Sequence, residues 1–252
     1  MLHLFKTRRF WPLFGTQLLG VLNDNLLKGA LVALVGFRAT DQGLSAGVLV
    51  QLVTGLLVLP FFLFSAYAGE LSDRCDRAML ARRLKSLEVL VMGIAAAGWS
   101  LDSLPILFLS LFLMGTQSAF FGPVKYALLP QHLPPRDLVA GNGLVEAGSF
   151  MAILLGSVAG ALLMAGAQVS PWLAPALLAL AVLGWLCARF IPPAPVEGRP
   201  AQRARLGGSS RRVLGLARSR TALWRCIAAL SAFWAFGAVL MGQLPDLARE
   251  VP

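Results

Sequence analysis

Seven apolar stretches, each about as long as a bilayer is thick, leave this chain few ways to fold. They fall at residues 10–37, 46–68, 84–101, 104–129, 142–167, 172–191 and 222–244. Each approaches the roughly 20 residues that a helix needs to cross the hydrocarbon layer. Backbone N–H and C=O groups find no water at that depth, so only helices or a closed barrel can span. A barrel would require short segments of alternating polarity, and the sequence has none. The expected fold class is therefore an all-α polytopic membrane protein. Composition agrees, since only 13% of residues are charged, against about 25% in soluble domains.

The net charge of +10 would point to nucleic acid in a soluble domain. Here the cations collect in alternate connections between the apolar stretches. Lys6, Arg8 and Arg9 precede the first. Arg74, Arg77, Arg82, Arg83 and Lys85 join the second to the third. Lys125 and Arg136 mark the fourth connection, and nine arginines from Arg189 to Arg225 mark the sixth. The first, third and fifth connections hold only Arg38. Cytoplasmic loops of inner-membrane proteins carry this excess, which puts the N-terminus in the cytoplasm and argues against a nucleic-acid partner. The first apolar run is too long for a cleavable signal peptide and lacks a small-residue cleavage site. Cys75, Cys187 and Cys226 are far apart and the only histidines are His3 and His132, so no disulfide, metal or cofactor is expected.

Three regions are expected: a six-helix bundle at 1–191, a basic cytoplasmic linker at 192–221, and one further helix at 222–252. The linker is rich in Pro, Gly, Ser and Arg, and its natural companion is anionic lipid, at about 1 kcal/mol per basic residue near the surface. Six spans, a long basic loop and a seventh span match one half of a two-fold transporter plus the first helix of its second half. A fragment or truncated product of such a protein is the expectation, inactive by itself.

Individual residues sharpen this reading. Asn23, Asp24, Asn25 and Lys28 lie in the middle of the first stretch, where one charge costs about 2.5–3.5 kcal/mol and so should face the bundle interior. Asp24 and Lys28 stand four apart and share a helix face. Either they pair, or Asp24 lines a cavity and takes a cation, a proton or a head-group ammonium. Gly122-Pro123 should interrupt the fourth helix just before Lys125-Tyr126, which makes either a phosphate site or a snorkelling lysine. Asn142, Glu146, Ile153, Gly156 and Gly160 share one stripe of the fifth helix. The two glycines permit close packing, while Glu146 is a cavity carboxylate, a gating partner or an interfacial residue. Trp11, Trp99 and Trp172 fall at span ends, as an aromatic belt would place them.

Motifs carry a more specific resemblance. The second connection, GELSDRCDRAMLARR, resembles the major-facilitator loop signature G-x-x-x-D-R-x-G-R through Gly69, Asp73, Arg74 and Arg77, with Asp76 where a glycine is usual. QLLGVLNDNLLKGAL at 17–31, GTQSAFFGPVKYALLPQHL at 115–133, GNGLVEAGSFMAILLGSVAGALL at 141–163 and LSAFWAFGAVLMGQLPDLA at 230–248 are similar to the lysophospholipid transporter branch of that superfamily. That branch includes relatives fused to acyltransferase and acyl-carrier-protein synthetase domains. The likeness covers almost the whole chain. It implies a secondary transporter or flippase that moves lysophospholipid across the inner membrane for re-acylation, by rocking two halves about a central cavity. It also implies that Gly69, Asp73, Arg74 and Arg77 form a conformational latch, and that an acyltransferase is a partner or fused domain.

Two rival functions share the composition. His132 and Asp137 have the H-x-x-x-x-D spacing of acyltransferases, yet Pro134-Pro135 lie between them in a loop joining spans, so no catalytic residue is assigned and an enzyme is not expected. A major-facilitator exporter of another small molecule would share the fold.

Overall fold

The computed structural model describes residues 2–42, 46–164, 170–195, 215, 217–233 and 236. Every regular element among them is helical. The chain divides into two compact units, Met1–Arg203 and Ala204–Pro252.

The first unit begins with a 3-10 turn, Leu2–Lys6, and continues through α1 (Trp11–Gln42), α2 (Ala46–Arg74), α3 (Arg77–Ser100), α4 (Leu104–His132), α5 (Pro135–Leu162) and α6 (Leu173–Arg189). Four of these are long and apolar enough to cross a membrane: Trp11–Phe37, Val48–Arg74, Leu104–His132 and Pro135–Leu162. Helix α6 has 17 residues, and α3 carries Arg77, Arg82, Arg83, Lys85 and Glu88 in its first half. In the second unit, Thr221–Phe233 forms a helix, α7. The expected linker lies mostly at 196–214, outside the described residues, as does most of the seventh stretch beyond Phe233.

Helix ends follow local chemistry. Asp76 caps α3, its Oδ1 accepting from the Met79 amide at 2.7 Å. At the other end Asp102 adopts φ 49°, and the Ser103 amide returns to the Gly98 carbonyl at 3.0 Å. That is a Schellman closure with aspartate where glycine is commonest. The α3–α4 turn therefore needs only three residues, and Pro105 sits in the first turn of α4, where its missing N–H costs nothing. Pro123 does not break α4 as expected, because the helix runs through both Pro123 and Pro130. Neighbouring helices support the segment where the proline removes one backbone bond.

Helix α1 lies along α5 and α6, α2 lies along α4, and α3 fits between α4 and α6. The α1–α5 contact is a backbone-to-backbone approach. A methyl at Gly29 would come 2.5 Å from the Ser157 carbonyl oxygen, and one at Gly156 would come 2.5 Å from that of Leu22. Gly160 sits against the Leu26 carbonyl. The expected small-residue seam is thus present, and α1 is its partner. The stripe is divided, however: Asn142 and Ile153 are exposed while Gly156 and Gly160 are buried.

Two apolar clusters fill the bundle. One contains Phe10, Leu13, Leu84, Phe121, Val145 and Ala188. The other contains Leu26, Val91, Met114, Leu173 and Ala181. Every helix that contributes to both leaves a gap between them, and the buried polar residues Gln17, Asn23, Lys85, Glu88, Gln117 and Ser149 fall in those gaps. The bundle is therefore layered apolar, polar, apolar along its axis. Of the three tryptophans expected at the interfaces, Trp11 and Trp172 are exposed, but Trp99 is 8% exposed and belongs to the core.

Candidate functional site

The polar layer opens into a cavity of about 310 Å³. Asp24 and Gly20 reach it from α1, Phe61 from α2, Lys85 from α3, and Gln117, Ser118, Phe121, Lys125 and Tyr126 from α4. Asp24 Oδ2 accepts from the Ser118 hydroxyl at 2.6 Å, while its Oδ1 is buried and without a partner. Lys28 does not pair with Asp24. It lines a second, largely apolar hollow of about 330 Å³ with Gly29, Val32, Ala33, Ser157 and Ala161. The reason is angular, because α1 is wedged against α5, and residues four apart are about 40° out of phase on a helix. That offset points Asp24 to α4 and Lys28 to α5.

The neighbours of Asp24 divide in the same way. Asn23 is fully buried and turns to α3, its Nδ2 donating to Glu88 Oε1 at 3.4 Å. Asn25 donates to the Val21 carbonyl of its own helix at 2.8 Å. Neither borders the main cavity, so of the Asn-Asp-Asn run only Asp24 does.

Lys125 and Tyr126 stand at the cavity's other side. Lys125 Nζ lies 3.7 Å from Glu146 Oε1 and 4.6 Å from the Tyr126 ring centre, and the Tyr126 hydroxyl donates to the same oxygen at 2.7 Å. Glu146 therefore joins α5 to α4. Asn142, one turn earlier, is exposed and donates to the Leu138 carbonyl at 3.0 Å, away from the cavity.

The largest omission from the sequence reading is α3. Lys85 stands among loop cations in the sequence, yet it is 2% exposed, with Glu88 at 1%. Its ammonium contacts Glu88 Oε2 at 2.5 Å. Gln117 Nε2 donates to that oxygen at 3.2 Å, and Gln117 Oε1 lies 3.2 Å from the Ser118 hydroxyl, whose one proton goes to the nearer Asp24. One polar chain thus links Glu88, Gln117, Ser118 and Asp24. A lysine and a glutamate three apart inside an apolar stretch were the available signal, since two charges at depth must meet each other or a cavity.

The loop signature is well ordered locally. Arg77, at the start of α3, lies 3.6 Å from Asp73 at the end of α2, and Arg74 lies 3.9 Å from Glu70, one helical turn earlier in α2. Asp73 keeps 72% of its side chain exposed, and a methyl at Gly69 would meet nothing within 4 Å. Asp76, in the glycine's place, does more than close the turn. Its Oδ2 accepts from the Ala194 amide at 3.2 Å, the Arg77 amide donates to the Ala194 carbonyl at 3.2 Å, and Arg82 donates to the Ile191 carbonyl at 3.1 Å. Gln131 at the end of α4 donates to the Pro195 carbonyl at 3.2 Å. The segment leaving α6 is thereby tied to α3 and α4. Asp137 faces His3 at 3.6 Å, whereas His132 is buried with both ring nitrogens unpartnered. The acyltransferase-like spacing is therefore not a contact.

The sequence profile described as Major Facilitator Superfamily matches residues 13–251. The protein named lysophospholipid transporter LplT in Escherichia coli strain SE11 is 30% identical over 230 residues, which is 89% of this chain and 54% of that protein. The protein of the same name in Shigella boydii serotype 18 gives 30% identity over the same shares. The chain spans about half the length of these curated relatives.

Proposed function

The chain belongs to the major facilitator superfamily and is a multi-pass inner-membrane protein; on that premise we propose that it is the first six-helix half, with the opening helix of the second, of a lysophospholipid transporter. The domain limits would be 1–191, 192–221 and 222–252, with the N-terminus and the basic linker in the cytoplasm. The observation that carries the reading is the pairing of opposite charges across one cavity. Asp24 and Lys125 face it from α1 and α4, with Val21, Phe61 and Phe121 among its apolar walls. A zwitterionic phospholipid head group has the complementary pattern, an ammonium for Asp24 and a phosphate for Lys125.

In this mechanism Asp24 holds the ammonium, oriented by Ser118, while Asn23, Asn25 and Lys28 stay outside the head-group cavity. Tyr126 and Glu146 position Lys125 and release it to phosphate when the lipid arrives. The two halves rock about the cargo, while Gly69, Asp73, Arg74 and Arg77 latch the cytoplasmic side. The chain does no chemistry, and re-acylation falls to an acyltransferase, as partner or fused domain.

The test is uptake of labelled lysophosphatidylethanolamine by membrane vesicles bearing the full-length transporter. Asp24→Asn and Lys125→Ala should each reduce uptake at least tenfold at unchanged protein level. If the unaltered protein moves no lysolipid, the assignment fails at its substrate and export of another small molecule takes its place.

A further inference from the structure

Two carboxylates of the polar layer, half-buried Asp24 and buried Glu88, are each held by α4, Asp24 by the Ser118 hydroxyl and Glu88 by the neighbouring Gln117 amide. The nearest ammonium serves only one of them. Lys85 Nζ is 2.5 Å from Glu88 Oε2, while Asp24 Oδ1 has no partner. Yet Lys85, not Glu88, lines the cavity with Asp24. Its ammonium rests in a slot that only small residues permit. The first side-chain carbon of any residue at Gly20 would collide with Nζ, and one at Gly184 on α6 would lie 3.9 Å from it. Phe121 closes the slot, with its ring centre 5.1 Å from Nζ. Gly20 is one turn before Asp24 on the same helix, a rise of about 6 Å, which is within the sweep of a lysine stem.

We propose that Lys85 is a transferable counter-ion, paired with Glu88 while the cavity is open and moved across Gly20 to Asp24 when the cavity closes without cargo. This rests on the reading of the cavity as a head-group site. The physical need is specific to a carrier. Loaded, Asp24 is neutralised by the head-group ammonium. Unloaded, it must pass through a closed state as a lone carboxylate in a low-dielectric interior, which is costly. A lysine that crosses to it shifts the one unpaired charge from Asp24, whose Oδ1 has no donor, to Glu88, which accepts hydrogen bonds from Asn23 and Gln117. Lys85 is thus a positioning residue for the return step rather than a ligand of the lipid.

The experiment compares two modes of transport in vesicles bearing the full-length transporter. Net uptake of labelled lysophosphatidylethanolamine requires the unloaded return, whereas exchange against the unlabelled lipid on the other side does not. The double variant Lys85→Met/Glu88→Gln removes both charges together and leaves neither orphaned. Its exchange should stay within about twofold of the unaltered protein while net uptake falls at least tenfold. Gly20→Ala places a methyl in the path of Nζ and should give the same split. That variant decides the matter if the double variant does not accumulate, because the atom it displaces is the flexible end of a side chain. Equal losses in both modes, or no loss in either, would overturn the counter-ion. Absence of lysolipid movement by the unaltered protein in either mode would instead remove the head-group reading beneath it.

Discussion

Lys85 and Glu88 form an ion pair one helical turn long, 2.5 Å between Nζ and Oε2, with side chains 2% and 1% exposed. Removing one member strands the other in an apolar interior, which costs about 3–5 kcal/mol, whereas removing both together can be nearly neutral. Lys85→Met and Glu88→Gln alone should each lower the thermal unfolding midpoint markedly, and the double variant should recover most of the loss. Scanning calorimetry in detergent measures this directly. Equal destabilisation by all three variants would mean that shape, not charge, holds this part of α3.

Ser118 is the hydrogen-bond donor to Asp24 Oδ2, at 2.6 Å. A bond to an ionised group contributes about 1.5–3 kcal/mol, so losing it leaves the carboxylate free to turn from the cavity. Ser118→Ala should raise the half-saturation concentration for lysolipid uptake roughly tenfold, since about 1.4 kcal/mol corresponds to that factor. Protein level should not change. An unchanged half-saturation value would show that Asp24 needs no such anchor.

The α1–α5 seam leaves no room for side chains. At Gly160 a methyl would meet the Leu26 carbonyl and come 2.8 Å from the Ala30 amide nitrogen, and backbone atoms cannot rotate away. Gly160→Val should therefore destabilise by about 1–3 kcal/mol or more. Gly93→Ala in α3, where a methyl meets nothing within 4 Å, should be neutral or stabilising by about 0.5–1 kcal/mol. Paired unfolding curves check the contrast. A harmless Gly160→Val would contradict the close approach.

Asp76 holds two amides, Met79 and Ala194. Asp76→Ala should cost about 0.5–2 kcal/mol as a lost helix cap and speed hydrogen exchange at both amides. Asp76→Asn keeps an oxygen for the cap and should protect Met79 more than alanine does. Faster exchange at Met79 alone would separate the cap from the tie to the segment after α6.

The helices were legible because their cause is local. Long apolar runs place every helix, and for α4 and α6 they match both observed ends to within a turn, whereas α1 and α2 run about a turn and a half past theirs and α3 and α5 begin about two turns earlier. The exceptions are instructive. The third apolar stretch begins at 84, yet α3 begins at Arg77, because its first two turns are charged and hydropathy marks only the apolar remainder. Pro123 looked like a break because a lone helix loses a bond there, whereas a helix packed on both sides does not unwind.

The sequence by itself determined the solvent, the helical class, the small-residue seam and Asp24 as a charge that needs a reason to be buried. All of these follow from the cost of putting polar groups in hydrocarbon, which each segment bears alone. Only the tertiary structure decided which charges share a cavity. It turned Lys28 to α5, took Lys85 from the loop cations into the polar layer, and strung Glu88, Gln117 and Ser118 between that lysine and Asp24. Such partnerships depend on the rotation of each helix about its axis, and that angle is set by the packing of all its neighbours at once, α1 against the glycines of α5 above all.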